Sequence, residues 1–494
     1  DLVLLNISWP AVKALKSIAS QKKYQFKIYS PFFSKFKDLG KAKYIFWRNF
    51  LAEVIFSFFS IWKARRVFGK NHNINTKKPI YLIKSFTYLK NFKKNGYDDP
   101  FFGQLPNYLK ESIPDVTILT LALGFQDRIE CYKKMKKLNN SLVHPIEIYL
   151  NYWDVLIRGL EWLWRLSFHP FKIKGKIFWL GHDITPFFQE LISFGGFRFS
   201  FFQSLHYDMA NRVGSQFKIK MCFMTYEGIP WERFFIDGLR KANKDTIIVG
   251  CQHTVIPLSA ADMFLHQREK GIIPLPDKIL TTGKIPKNIL EKYGSYPKEQ
   301  IKTGCALRFE SLQNLSLLKC REESKRNFVL LVAFGGSEEE IPLLNYSLGQ
   351  ASLNKDVIFR MRTHPTFSWD KLMLLRKSDL KLPENVLIST SSEVLDDLKS
   401  CDAVLYWGTT VALESLMVGK PIINFDREDL LNYDPLFEFT DFKWQVQQKD
   451  PLQNIIQDIQ KMPETSYQKH QEQGKKYIKE FFYPVTKQNL EKFF

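Results

Sequence analysis

The sequence predicts an α/β protein built from two Rossmann-like, doubly wound domains. Three observations carry that prediction. From about residue 80, short apolar runs recur, each bounded by Gly, Pro or polar residues, which is how buried parallel strands read. Helically spaced stretches separate the runs, the alternation that a doubly wound sheet needs. The runs are also too numerous for one sheet, and 494 residues leave room for about two to three domains.

Taken in order, the expected strands are Ile80–Ile83, Val116–Leu121, Ile177–Leu180, Phe197–Phe202, Ile219–Met224, Thr246–Val249, Lys278–Leu280, Phe328–Ala333, Val357–Met361, Val386–Ile388, Ala403–Tyr406 and Pro421–Asn424. The polar segment Lys319–Arg326, directly before FVLLVAF, marks the expected boundary. Residues 1–322 then form an N-terminal, acceptor-side domain with aromatic and basic helical insertions, and 323–465 a C-terminal nucleotide-binding domain. Residues 466–494 form a helical tail, with a return onto the first domain as one course open to it.

Composition narrows the function classes. With 45% hydrophobic and 25% charged residues the chain is globular, neither disordered nor fibrous. Lys and Arg number 71 against 51 Asp and Glu, a net charge of +20, and aromatics make up 15%. Such a chain calls for an anionic partner: nucleic acid, a membrane surface or a phosphorylated substrate. Six scattered cysteines without a C-x-x-C pair fit a reduced, cytosolic setting. The chain starts at Asp1 and shows no signal peptide. The most apolar stretches, Tyr44–Trp62 and Ile148–Phe168, carry Arg48 and Glu53, and Asp154, Arg158, Glu161 and Arg165, so neither is expected to span a membrane.

The strongest local signal is Ile358–Pro365, IFRMRTHP. Strand alternation puts Arg360, Arg362 and His364 on one side, at a carboxyl end where open α/β sheets bind ligands. Guanidinium forks suit phosphate oxygens, and a histidine can protonate a leaving phosphate. Two further His-Pro pairs, at His144 and His169, lack that setting and are expected to be structural. The second signal, Ala403–Asp426, reads strand, Gly408-Thr409-Thr410, helix, strand. Thr409 and Thr410 at a helix start serve either as a cap alone or as a cap with a phosphate site, and Glu414 one turn on is placed for ribose hydroxyls.

The third signal is FMTYEGIPWE, where Glu227 follows a strand end in a turn made by Gly228 and Pro230. A partly buried carboxylate there is a good general base. Glu232 is a lesser base candidate or a first-turn helix carboxylate. Gln252 and His253 close another strand and either bind sugar hydroxyls or serve the structure. Asp183, after IFWL, is the rival base. Gly335 and Gly336 after FVLLVAF either let backbone approach a phosphate or make an ordinary turn. No metal-site spacing, G-x-S-x-G hydrolase motif or RNA-binding signature is present.

On these motifs the sequence resembles GT-B glycosyltransferases, and more specifically the bacterial enzymes that use CMP-activated 2-keto sugars, the sialic-acid-type nonulosonates and Kdo. Their acidic-acidic-Gly base motif, His-Pro phosphate motif and Ser/Thr phosphate motif correspond to Tyr226-Glu227-Gly228, His364-Pro365 and Thr409-Thr410. Tyr226 departs from the first acidic position, so the base rests on Glu227. YEGIPWE and GCQHTVIP also resemble bacterial surface-carbohydrate biosynthesis proteins. The resemblance implies two domains facing a cleft, with Glu227 and His364 catalytic and Thr409, Thr410, Glu414 and Arg362 on the nucleotide; Gly335 and Gly336, from their turn alone, are expected beside them. Gln252, His253, Asp183 and Glu232, read from their own settings above, are the expected sugar- or acceptor-binding residues. The resemblance also implies a CMP-sugar donor, a glycan or lipid-linked acceptor and no metal or other cofactor.

Competing expectations are transfer of a polyol phosphate from a CDP donor, a UDP- or GDP-sugar transferase, and a non-catalytic scaffold of polysaccharide biosynthesis on a membrane. The few site cations cannot account for +20. Lys41, Lys43, Arg48, Lys63, Arg65, Arg66 and Lys70 flank Tyr44–Trp62, as on an interfacial helix or as the solvated flank of a buried one. An anionic membrane surface, the inner face of the cytoplasmic membrane, is therefore an expected partner, and nucleic acid is not.

Overall fold

The computed structural model describes residues 32–69, 78–93, 96–124, 127–138, 142–168, 173, 175–179, 181–193, 201–312, 315–318, 327–365, 367–376 and 382–494. The expected boundary segment 319–326 and the pair His169-Pro170 lie outside them, as does Lys70.

Two sheets organise the chain. Strands β1 (Ile80–Thr87), β2 (Thr117–Gly124), β3 (Leu142–Pro145), β4 (Ile219–Thr225), β5 (Ile247–Cys251), β6 (Lys278–Thr281) and β7 (Ile301–Thr303) form a seven-stranded sheet in the order β7-β6-β5-β4-β1-β2-β3. β1–β2, β2–β3, β5–β6 and β6–β7 pair in parallel. Strands β8 (Phe328–Ala333), β9 (Val357–Arg362), β10 (Val386–Ile388), β11 (Ala403–Tyr406), β12 (Ile422–Phe425) and β13 (Lys443–Val446) form a six-stranded sheet in the order β10-β9-β8-β11-β12-β13, parallel throughout. In each sheet the first strand lies inside and the chain winds outward to one side, then to the other. That is the doubly wound α/β architecture, with switch points at β1/β4 and β8/β11.

The central strands form where every residue can be buried. β8, β11 and β12 are buried along their whole length, whereas β9 alternates, with Val357, Phe359 and Met361 in the core and Arg360 and Arg362 half-buried. Phe328, Leu330, Val332, Phe359, Leu405 and Ile423 join one apolar core.

Two expected strands are corrected. Ile177–Leu180 contributes only Phe178–Trp179 to an antiparallel hairpin with His182–Asp183, turned by Gly181 at φ +78°. Of Phe197–Phe202, the described part begins a helix, Phe201–Ser204. In the two large sheets, β3, β7 and β13 lie outside the expected set, and each is a sheet edge; the small antiparallel ribbon Phe92–Lys93 with Gly96–Tyr97 lies outside it too.

The chain divides into two compact units. The first comprises Asp1–Asp98, Asp115–Cys222 and Pro230–Ile247, and the second Asp99–Pro114, Phe223–Ile229 and Ile248–Phe494. β1 to β3 thus belong to the first unit and β6 to β13 to the second.

The first unit carries helices α1 (Phe32–Phe68), α2 (Tyr152–Phe168) and α3 (Pro230–Ala242). Contrary to the expectation from Arg48 and Glu53, the segment Tyr44–Phe68 of α1 is long and apolar enough to cross a membrane, with a mean hydropathy of 1.2 over its most apolar window. The second unit includes α4 (Lys284–Tyr293), α5 (Val411–Met417) and α6 (Glu464–Phe481). Tyr467, Gln471, Gly474, Ile478 and Phe481 make one buried stripe of α6, spaced as a helix face requires. The stripe packs on α5 and α4: Gln471 donates to the Gly419 carbonyl at 2.8 Å, and the Thr282 hydroxyl to that of Phe481 at 3.0 Å.

Cys131, Cys222, Cys251, Cys305 and Cys401 are buried free thiols. Burial pushes Cys305 and Cys401 up to about 12, and Cys131 and Cys222 are raised for the same reason.

Candidate functional site

At the first sheet, β4 ends at Thr225, and the Tyr226 amide donates to the Cys251 carbonyl at 3.0 Å. Tyr226 turns into the core, 1% exposed, with its hydroxyl 3.5 Å from that of Tyr296. Glu227 comes next, in a turn that only glycine can continue. Gly228 has φ +74°, and a Cβ there would meet the Asp262 carbonyl oxygen at 2.0 Å. The tight turn leaves the Glu227 carboxylate at the strand end, with Oε1 3.4 Å from His253 Nε2. Burial holds the Glu227 carboxyl above the usual carboxylate range, against the Thr254 hydroxyl and the Arg308 guanidinium.

His253 lies two residues past β5, edge-on to Phe101 with ring centroids 4.9 Å apart. Burial, with the Arg308 charge adding to it, pushes the imidazole down to about 3. Near neutral pH the ring is therefore uncharged, and its approach to Glu227 is a polar contact between a carboxylate and a neutral imidazole. Gln252 is committed to the loop: its Oε1 accepts from the Thr282 amide at 2.8 Å, and its NH2 donates to the Thr254 carbonyl. That geometry makes it a brace holding His253 in place.

At the second sheet, the turn after β8 brings Gly336 under His364. A Cβ on Gly336 would lie 2.8 Å from His364 Cγ, and its φ is +99°. Gly335 meets the loop after β11, where a Cβ would be 3.0 Å from the Gly408 carbonyl oxygen. The amides expected to face a phosphate point elsewhere. Those of Gly335, Gly336 (2.8 Å) and Ser337 (3.3 Å) donate to the carboxylate of Glu340, which is 1% exposed and raised by burial. Ser337 and Glu340 form a capping box, the local chemistry that fills this turn.

The arginine pair also differs from expectation. Arg362 donates to Asp397 Oδ2 at 2.5 Å and to the carbonyls of Ser391 at 3.1 Å and Ser392 at 3.3 Å. Arg360 donates to the Ser400 hydroxyl and lies 3.9 Å from Asp397. Both guanidinium groups thus converge on one carboxylate that is almost wholly buried. His364 is half-buried and held below the usual imidazole range by burial and by the Arg308 charge. Thr409 accepts from the Val411 amide at 3.4 Å, a long cap for α5, while Thr410 makes no cap bond. Burial pushes Glu414 up to about 7, opposed by the Arg362 charge.

Arg308 was not singled out in the sequence. It sits in the helical turn Leu307–Leu312 that follows the edge strand β7. Its guanidinium lies over the Phe101 ring, 5.4 Å from the centroid, and Phe101 in turn meets His253. Its charge acts on Glu227, His253 and His364 together. The residue that ties the two strand-end groups together therefore comes from a third segment of the same unit. A faint signal for it was present: a lone basic residue in GCALRF just past Ile301–Thr303, visible once that segment is read as a strand.

The other two candidates belong to the first unit. Asp183 is half-buried and accepts from the Thr185 amide at 2.9 Å, just ahead of the helix Thr185–Ser193; its hydrogen bonds to Thr185 hold it below the usual carboxylate range. With that low affinity for protons it is a poor base. Glu232 is fully buried in the first turn of α3, where the helix dipole favours a carboxylate. Among the described residues no group of three or more His, Cys, Asp or Glu side chains is gathered as for a metal ion.

No protein-family model matches the chain, and no curated protein does. Solved structures align with it at low similarity. A glycosyltransferase from Rickettsia africae aligns at 12% identity and a TM-score of 0.46, over 84% of this chain and 97% of that one. A UDP-GlcNAc 2-epimerase from Neisseria meningitidis, solved with UDP-GlcNAc bound, aligns at 12% identity and a TM-score of 0.44, over 84% and 97%. The architecture rests on the two sheet orders themselves.

Proposed function

We propose that the chain is a metal-independent glycosyltransferase of GT-B layout. On this reading it moves a sugar, a 2-keto acid sugar from a CMP donor, onto a glycan or lipid-linked acceptor at the cytoplasmic side of the membrane. The observation that carries the reading is a carboxyl at a strand end, raised by burial and 3.4 Å from His253, with Arg308 stacked on the Phe101 ring that meets that histidine and its charge acting on His364 as well.

Each group has a task in that reaction. Glu227 accepts the proton of the acceptor hydroxyl, whose oxygen then bonds to the anomeric carbon as the bond from that carbon to the phosphate oxygen breaks. A base raised toward neutrality is matched to the work. The neutral His364 ring donates an N–H to the departing phosphate, whose negative charge raises the proton affinity of the imidazole. Arg308 offsets the charge that builds on the phosphate. Thr409 and Thr410 hold the phosphate by their hydroxyls, and Glu414 accepts from ribose hydroxyls. His253 and Gln252 fix the position of Glu227.

The deciding experiment measures melting with millimolar CMP, CDP, UDP and GDP, followed by CMP release from a panel of CMP-sugars in EDTA. A ligand that binds only the folded chain stabilises it by RT ln(1+[L]/Kd). CMP is expected to raise the melting temperature most, and His364→Ala to lower CMP release by at least about 100-fold. A shift with CDP together with polyol-phosphate transfer would assign the phosphotransferase chemistry instead, and a shift with UDP or GDP alone another sugar donor. No shift with any nucleotide would leave a scaffold.

A further inference from the structure

We infer that α1 and α2 together form a two-helix platform that lies in the plane of an anionic membrane surface, with neither helix crossing it. α1 has two unlike faces. Toward the first unit, Phe50, Ser57, Ser60, Ile61 and Ala64 are buried. Glu53 accepts from the Phe202 amide at 3.0 Å, Ser60 from Arg128 at 3.2 Å, and Arg65 donates to the Leu150 carbonyl at 2.9 Å. On the other face Leu51 (55% exposed), Ile55 (55%), Phe59 (56%) and Trp62 (46%) form a stripe at helical spacing.

α2 repeats the design. Trp153 (71% exposed), Ile157 (55%), Leu160 (65%) and Trp164 (55%) share one exposed face. Its acids are paired with arginines, Asp154 with Arg212 at 2.6 Å and Glu161 with Arg158 at 2.8 Å. The helices meet where Phe58 stacks on Tyr152 at 5.8 Å, with Arg65 over the same ring at 5.2 Å.

Charge selects the occupant. Between residues 44 and 68 the sole acidic residue is Glu53, which is turned to Phe202, while Arg48 and Arg66 bracket the apolar stripe. Exposed tryptophans beside apolar side chains, with basic ends and no facing acid, fit the headgroup–acyl boundary of an anionic leaflet. Length alone would let α1 span a bilayer. Its hydrogen-bonded inner face keeps it against the protein, which leaves only the outer stripe for lipid.

The test is co-sedimentation with phosphatidylcholine vesicles, with and without phosphatidylglycerol, together with quenching of tryptophan fluorescence by brominated lipid. Binding is expected to the anionic vesicles, with quenching, and to weaken as salt screens the basic ends. Ile55→Glu and Leu160→Glu are each expected to lower partitioning at least about tenfold, since each puts a charge where an exposed apolar side chain would enter the lipid. Their melting temperatures should match the parent, because both positions are exposed. Retained binding in the double variant, a soluble dimer without vesicle affinity, or vesicle-bound protein that resists alkaline carbonate would each overturn the proposal. The nucleotide-dependent melting shift is independent of this outcome, so the two readings fail separately.

Discussion

The carboxyl ends of β4–β5 and of β8–β9 carry the same kinds of residue and treat them in opposite ways. At β8–β9 the charges close on one another: Arg360 and Arg362 on Asp397, and the glycine-turn amides on Glu340. At β4–β5, Glu227 stands 3.4 Å from a histidine that burial keeps neutral, and burial raises its carboxyl against the Arg308 charge. A cation gathered at a strand end by its own carboxylate is architecture. A carboxylate whose proton affinity burial has raised keeps the capacity to take a proton. The difference separates a girder from a reactive group where residue types alone cannot.

The comparison can be broken most directly at Asp397. Asp397→Ala strands two guanidinium groups in a mostly buried place and is expected to cost about 3 to 5 kcal/mol, read as a lower urea midpoint. An unchanged midpoint would mean the arginines are free to serve a ligand after all. Glu227→Gln is expected to lower transfer by at least about 100-fold with no loss of melting temperature. Near-normal turnover would strip Glu227 of its role.

Gly336→Ala tests whether His364 needs the bare backbone beneath it. The added Cβ meets the ring at 2.8 Å in a left-handed conformation, so about 1 to 3 kcal/mol of stability and His364-dependent CMP release should fall together. Loss of stability alone would leave the ring position immaterial. The smallest effect concerns Glu414. Folded, it holds its proton up to about 7, whereas an ordinary carboxyl releases it near 4.5. Between those values the folded chain binds the extra proton, so stability from this site falls as pH rises through the window. Glu414→Gln should match the parent at the acid end and be more stable above pH 7, as measured by melting across pH. Parallel pH profiles would contradict the burial of this carboxyl.

Central strands were legible because their residues are apolar on both faces: Phe328–Ala333 and Ala403–Tyr406 have the limits their sequences predict, and the edge strand Val386–Ile388 does too because its three residues are all apolar. The unforeseen strands LVHP, IKT and KWQV lie at edges, where one side meets no neighbour and polar or exposed residues break the run. The hairpin at Phe178–Asp183 reads as a buried strand only because FW is apolar; its length gives it away. Glu227 and His364 could be located from local signals, a strand followed by a turn. Their surroundings could not. Asp397 lies 35 residues beyond Arg362, and Arg308 reaches the site from behind an edge strand that carries no strong pattern. Glu340 was within reach of sequence logic, since Ser337-x-x-Glu340 is a capping box, and it competes with any ligand for the same amides.

The buried thiols give the molecule a set of built-in clocks. Cys222 and Cys251 lie on β4 and β5, and Cys401 sits just before β11; each is buried, and a protonated thiol is a poor nucleophile. Alkylation at each of them must wait for its own strand to open, so labelling followed site by site under native conditions would time the opening of the two sheets separately. If Cys222 and Cys401 labelled at one common rate, the sheets would unfold as a single cooperative body; different rates would show which half of the molecule comes apart first.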